Sequence, residues 1–242
     1  MTIQIGDTVF VPRKLLGEDA GEHSPFRRSI VTGRRDRSIT VQCGDEPESE
    51  FIATRFIHKR LGVAVVRIGD YSEYKFLDPL YKSVLQFCRI LLPDDHVTGF
   101  QLRTTLELRR FWELNHGAFE QVIVIGHGAR NGLCFGHQNV GVDDIRDILE
   151  VPDATPKEFV SLCCQTGRAD FSREFSRSPI VKSVIAPFES IHGCLASLFA
   201  QHYLNKRLLE HKTITVAFKK ARKQLSGSAT FRLWINGNLK TN

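Results

Sequence analysis

The sequence contains no apolar run approaching the roughly 18 residues of a membrane-spanning helix, which argues against a helical membrane protein. Its opening, MTIQIGDTVFVP, lacks the basic-then-apolar pattern of a secretory signal, so a reducing cytoplasm is the expected compartment. No Gly-rich phosphate loop of P-loop or Rossmann type is present, because GDTVFVPRKLLG and VIGHGARNG lack the required spacing. Methionine occurs once and tryptophan twice; with seventeen phenylalanines these read as core supply, and no cofactor is expected. There is no internal repeat and no low-complexity linker. The six cysteines (43, 88, 134, 163, 164 and 194) are scattered through a 242-residue chain too large to need stapling. Thiol chemistry, metal ligation or packing is therefore expected of them, not a disulfide framework.

The composition that remains is that of a folded protein, 42% apolar and 25% charged, with a net charge of +6. Basic residues gather in FRRSIVTGRRDR (26–37) and KRLLEHKTITVAFKKARK (206–223), but neither stretch interleaves stacking aromatics. A solvated helix face accounts for the second cluster, and nucleic acid is not the expected partner. Arg34, Arg35 and Arg37 in the first read as a solvated loop, with an acidic partner or phosphate-bearing signal as the alternative.

Two regions differ in rhythm. Residues 1–60 hold short β-branched and aromatic stretches, DTVFVP, SIVTG, SITVQCG and EFIATRFI, punctuated by Gly, Asp or Pro. They are expected to form a small β module, and IGDTVFVPR resembles the first strand of SH3-like barrels. From 61 to 242 strands alternate with helices, which predicts an α/β domain with a mostly parallel sheet covered on both faces. The expected buried strands are GVAVVRIG (62–69), QVIVIGHG (121–128), EFVSLCC and VKSVIAPFES (181–190), with another near HVTGFQL. The expected helices are DPLYKSVLQFCRILLP, capped by Asp78, and TLELRRFWELNHG, closed by Gly117. GVDDIRDILEVP, IHGCLASLFAQHYLNKRLL and TITVAFKKARKQL follow as amphipathic helices.

Ligands of such sheets bind beyond the carboxyl ends of the strands. One strand ends VIVIGHGARNG and puts His127 between two glycines; another ends VSLCCQTG. Neighbouring side chains of a strand face opposite ways, so Cys163 and Cys164 are predicted to differ, Cys163 packing inward and Cys164 facing the turn. A thiol is a poor nucleophile until ionised, and a nearby imidazole can take its proton and pass it to a leaving amine. The Gly128 and Cys164 amides would supply a two-donor oxyanion hole, with Gly128 leaving room for substrate.

VIVIGHGARNG, LCFGHQNVGVDDIRDIL and VSLCCQTG, in this order, resemble the caspase-like cysteine peptidases, especially their bacterial CHAT-type branch. The resemblance continues into HGCLASLFAQHYLNKRLLEHKTITVAFKKARK and covers residues 62–235, leaving the β module outside it. It implies His127 as general base and Cys164 as nucleophile. The two lie 37 residues apart, against roughly 50 in caspases. Where relatives carry Gln or Asp two residues before the nucleophile, this chain has Leu162, so charged recognition must come from elsewhere. Glu189, where related folds place a pocket wall, or Asp170 would favour Arg or Lys before the scissile bond; a surface salt bridge is the equal alternative for either. Leu162 itself would give an apolar pocket floor. By analogy with the CHAT branch, a latent peptidase released by a partner or small signal in bacterial defence or cell death is expected.

Two other classes compete. Cys134 and His137, with His127 and Cys163 or Cys164, have the donor types of a zinc site, although GLCFGHQNVGV also reads as a β-hairpin that sends Cys134 and His137 apart. No metal is expected. An inactive caspase-like interaction protein is the other alternative, opposed by the presence of both His127 and Cys164.

Overall fold

A computed structural model describes residues 3–18, 26–45, 47, 49–54, 57–58, 61–92, 96–152 and 154–240. The chain divides into two compact units, Met1–Leu61 with Leu91–Pro93, and Gly62–Ile90 with Asp94–Asn242.

The smaller unit is a four-stranded antiparallel sheet in sequence order, β1 (Thr8–Pro12), β2 (Phe26–Arg35), β3 (Ser38–Gln42) and β4 (Ser49–Ala53). These match the four expected stretches, although Arg55 and Phe56 of the last lie outside the described residues. Alternation sends Val9, Val11, Val31, Ile39, Val41 and Ile52 into one small core.

The larger unit is mixed α/β. Its seven-stranded sheet has the order β14-β13-β12-β11-β7-β5-β6. The five parallel strands are β5 (Val63–Ile68), β6 (Val97–Leu102), β7 (Gln121–Ile125), β11 (Lys157–Ser161) and β12 (Val181–Pro187). Two antiparallel strands, β13 (Phe231–Ile235) and β14 (Asn238–Leu239), complete one edge and were not expected from the sequence. All residues of β5, β7 and β11 are buried, as a sheet covered on two faces requires, including the polar Arg67, Gln121, Lys157, Glu158 and Ser161.

Helix α2 (Thr105–Asn115) and helix α3 (Val142–Leu149) cover one face, packing Leu108, Phe111, Trp112, Ile145 and Ile148 against Val66, Val124, Phe159 and Val184. Trp112 Nε1 donates to the Leu149 carbonyl at 2.6 Å and ties the two helices together. On the other face Phe199 of α4 (Gly193–Leu204) stacks on Phe231 of β13, with centroids 3.7 Å apart, and meets Phe218 of α5 (Ile214–Gln224) edge-on. An apolar cavity of about 30 Å³ lies inside the first of these layers, lined by Val66, Trp112, Phe159 and their neighbours. Its lining is apolar apart from Ser161 at the end of β11.

Two helix ends differ from expectation. Helix α1 (Tyr74–Leu91) begins one turn early, so Asp78 and Pro79 lie inside it. Asp78 is not a cap; its carboxylate pairs with Lys82 at 2.8 Å and faces buried Arg67. Helix α2 ends at Asn115, and a 3-10 turn over His116–Ala118 takes up Gly117. Its start is capped by Thr104, whose hydroxyl accepts from the Glu107 amide, while the Glu107 carboxylate reaches one residue further back to accept from the Arg103 amide.

Candidate active site

The carboxyl ends of β5, β7, β11 and β12 lie side by side, and their register decides what meets there. β7 pairs with β11 so that Val124 faces Ser161, an offset of 37 residues. The same offset separates His127 from Cys164, so each stands three residues beyond one shared rung. The Leu162 amide continues the ladder to the Val124 carbonyl at 2.8 Å. β12 continues the row, because Val160 pairs with Ile185 and the Gln165 amide reaches the Glu189 carbonyl at 3.3 Å.

His127 opens a separate three-stranded antiparallel sheet, β8 (His127–Ala129), β9 (Gly132–Phe135) and β10 (Gln138–Gly141). Its imidazole is half-exposed, with Nε2 3.3 Å from Glu73 Oε1. The ring lies parallel to exposed Phe76 of α1, with centroids 6.0 Å apart and planes 10° apart. Glu73 stands in the short turn after β5, and its other oxygen accepts from the Asp70 amide at 3.0 Å, which fixes the carboxylate under the ring. Sequence reasoning missed Glu73. The rule that found His127 and Cys164, applied to the end of GVAVVRIG, points straight to this loop.

The two cysteines differ as expected, Cys163 inward and Cys164 less so, but they do so in the turn after β11, which ends at Ser161, and not on the strand. Cys163 is fully buried, its sulfur 3.8 Å from the Val124 carbonyl, and burial pushes its thiol up to about 12. Cys164 is half-buried, and its sulfur lies 4.0 Å from the Ile191 carbonyl. The turn that carries it is tightly held. Ser161 Oγ bonds Thr166 Oγ1 at 2.8 Å and accepts from the Cys163 amide, Thr166 Oγ1 donates to the Cys163 carbonyl, and Ser172 Oγ donates to the Thr166 carbonyl. Gln165 takes a left-handed conformation (φ 64°), a cost the surrounding bonds must meet. The Cys164 amide has no hydrogen-bond partner among the described residues.

Gly128 is required for a reason other than room for substrate. A β-carbon there would lie 2.5 Å from the Cys164 carbonyl oxygen and 2.9 Å from Cys163 Cβ, so the glycine lets the two strand ends close on one another. Gly167 does the same against the Ala186 carbonyl of β12.

The pocket residues expected from the sequence fare differently. Leu162 is 3% exposed and packs in the interior, so it offers no pocket floor; a sheet covered on both faces buries whichever way it points. Asp170 is exposed and lies 3.6 Å from Arg130. Glu189 is exposed, and its charge is felt by Arg232. Asp170 is thus paired with an arginine of the same chain.

Among the described residues no three His, Cys, Asp or Glu side chains converge as a metal site. Cys134 pairs across the hairpin with His127, while His137 sits beyond Gly136 in the β9–β10 turn. The Cys134 thiol is raised by burial and then by the charge of Glu73.

No protein-family model and no curated protein matches the chain. The site's chemistry therefore rests on its geometry. For the peptidase proposed below, Glu73→Gln should lower kcat by on the order of 100-fold with KM little changed, within the roughly 10²–10⁴ that positioned acid–base groups supply. Glu73→Asp should restore part of it. A wild-type kcat in Glu73→Gln would show that the carboxylate does not orient the base.

Proposed function

We propose that the larger unit is a cysteine endopeptidase of the caspase-like, CHAT-type fold, with Cys164 as nucleophile and His127 as base. The observation that carries the reading is the shared 37-residue offset, which brings a half-buried thiol and a carboxylate-backed imidazole to adjacent strand ends at one level.

In this mechanism Glu73 engages Nε2 of His127, leaving Nδ1 to take the Cys164 proton. The thiolate attacks the peptide carbonyl carbon, and the oxyanion is held by the Cys164 amide with that of Gly128. The C–N bond breaks as His127 returns the proton to the leaving amine. Water, deprotonated by His127, then attacks the thioester, releasing the new carboxyl terminus and regenerating the thiol. The remaining elements of the reading are an SH3-like β module in the smaller unit and a latent site, released by a partner or signal in bacterial defence.

The test is incubation with a diverse peptide library, with and without bacterial cell extract, reading new termini by mass spectrometry. Cuts that vanish in His127→Ala are the expected result. A library left intact under both conditions removes the peptidase reading.

A further inference from the structure

The imidazole of His127 belongs to β8, but what meets it comes from another element, the connection that leaves β5 and enters α1. Gly69, directly after β5, takes φ 147°, and a β-carbon there would lie 2.5 Å from Glu73 Oε2 and 2.9 Å from Leu77 Cδ1. The glycine lets the Glu73 carboxylate and the first turn of α1 settle onto the strand end. Glu73 Oε1 then meets the imidazole edge at Nε2, and Phe76, three residues on, lies parallel to the face of the same ring. From the hairpin, Cys134 stands opposite His127 across the β8–β9 pair.

Burial does not explain where Phe76 stands. Helix α1 turns Leu77, Leu80, Val84 and Leu85 into the core and leaves Phe76 58% exposed. Most of a large apolar ring therefore stays in water beside the imidazole. Centroids 6.0 Å apart and planes 10° apart place the pair in the offset-stacked range, where the attraction exceeds what the covered area alone provides. The χ2 of a histidine lies in a broad, roughly two-fold well, so placing its backbone does not set the plane of its ring. A contact at one edge nitrogen leaves the ring free to pivot, and a flat partner along the face restricts that pivot.

We propose that Phe76 is a positioning residue for the base, holding the His127 ring in the plane in which Glu73 meets Nε2 and Nδ1 is left for the Cys164 thiol. The proposal rests on the peptidase reading, and Phe76 acts through His127, with no contact to substrate required. Loss of the stack spreads the imidazole over other χ2 angles, and the productive one falls in population by roughly five- to tenfold, the scale of an aromatic pair. That loss appears in the rate of the chemical step and not in substrate binding.

The experiment reads the thiol itself and needs no known substrate. The full chain is treated with iodoacetamide near neutral pH, and alkylation of Cys164 is followed by mass spectrometry with fragmentation of its peptide, because the thiolate is the form that reacts. Phe76→Leu keeps an apolar side chain but has no flat face, and should slow Cys164 alkylation roughly five- to tenfold. Phe76→Tyr keeps the face and should stay within about twofold of wild type. Ile90→Ala, at another exposed apolar position of α1, should leave the rate unchanged, and His127→Ala should slow it at least as much as Phe76→Leu. On any peptide the protein cuts, Phe76→Leu should lower kcat with KM unchanged. Because Phe76 is exposed, neither of its substitutions removes core packing. A wild-type rate in Phe76→Leu, or a Phe76→Tyr rate as low as that of Phe76→Leu with unchanged melting curves, overturns the proposal and leaves the Cys–His pair standing. Unchanged alkylation in His127→Ala would instead remove the pair, and the positioning role with it.

Discussion

On the proposed peptidase reading, Cys164→Ala should abolish peptide cleavage while Cys163→Ala should retain most of it, and that contrast between adjacent residues is the largest functional effect expected of this protein. Removal of the nucleophile should lower kcat by on the order of 10⁴-fold or more, since a catalytic unit fails as a whole when its attacking atom is absent. Cys163 is excluded from that role by environment, not by chemistry. It has no exposed surface, its sulfur lies against the Val124 carbonyl, and burial holds its thiol at about 12. At pH 7 roughly one such thiol in 10⁵ would be ionised. Replacing it trims a sulfur from the core and should cost about 1 kcal/mol of stability, with little effect on rate. Activity assays on both variants, with thermal melts to verify folding, check the pair. Cleavage that survives Cys164→Ala but not Cys163→Ala would reverse the assignment.

The largest expected effect on stability lies at the opposite end of the same strand. Glu158 of β11 is buried and receives two bonds from Arg207 (2.7 and 3.0 Å), one from Lys182 (3.0 Å) and one from the Tyr203 hydroxyl (3.1 Å). Burial by itself would raise its pKa; the charge and hydrogen bonds of Arg207, then Lys182, outweigh it and bring the carboxyl to about 2. The cluster fastens the π-helical turn Asn205–Leu209, which ends α4, to the sheet. Glu158→Gln removes the carboxylate that pairs buried Arg207, leaving only the weaker influence of Glu120, and should cost about 3–5 kcal/mol. For a unit of this size that is a fall of roughly 6–20 °C in Tm.

The sign of the pH dependence follows from a depressed carboxyl. Its stabilisation, about 3 kcal/mol, is complete above the ordinary value near 4.5 and is lost as pH falls toward about 2. The gap between wild type and Glu158→Gln should therefore narrow by about 2 kcal/mol between pH 7 and pH 3. Melts followed by circular dichroism across that range measure it. A gap that stays constant would mean that Glu158 contributes through shape and not through charge.

Much of the scaffold is legible in the sequence because its signals are local. GVAVVRIG, QVIVIGHG and EFVSLCC are continuous apolar runs, and in a chain that alternates strands with helices such runs read as strands buried on both faces. The four β stretches of the smaller unit are legible from alternation and punctuation. Asp78 misled because Asp-Pro imitates a helix start, whereas the Tyr74–Leu77 turn that precedes it is helical within the folded unit. FRLWINGNL was passed over because β13 pairs with β12, some fifty residues upstream, and β14 is a two-residue strand that only extends β13 across a hairpin.

The sequence alone determined the spacing: two residue types suited to acyl transfer, 37 residues apart, each at the end of an apolar run. That number fixes nothing until a ladder forms, because a slip of β7 against β11 by one residue would set the two strand ends at different levels. Tertiary structure decided that Val124 pairs with Ser161 and so brings His127 level with Cys164, that Glu73 stands behind the imidazole, and that Phe76 lies parallel to its face. Each of these joins groups from separate strand ends, and the order in which parallel strands are laid down is set by packing of the whole sheet and not by any segment of it.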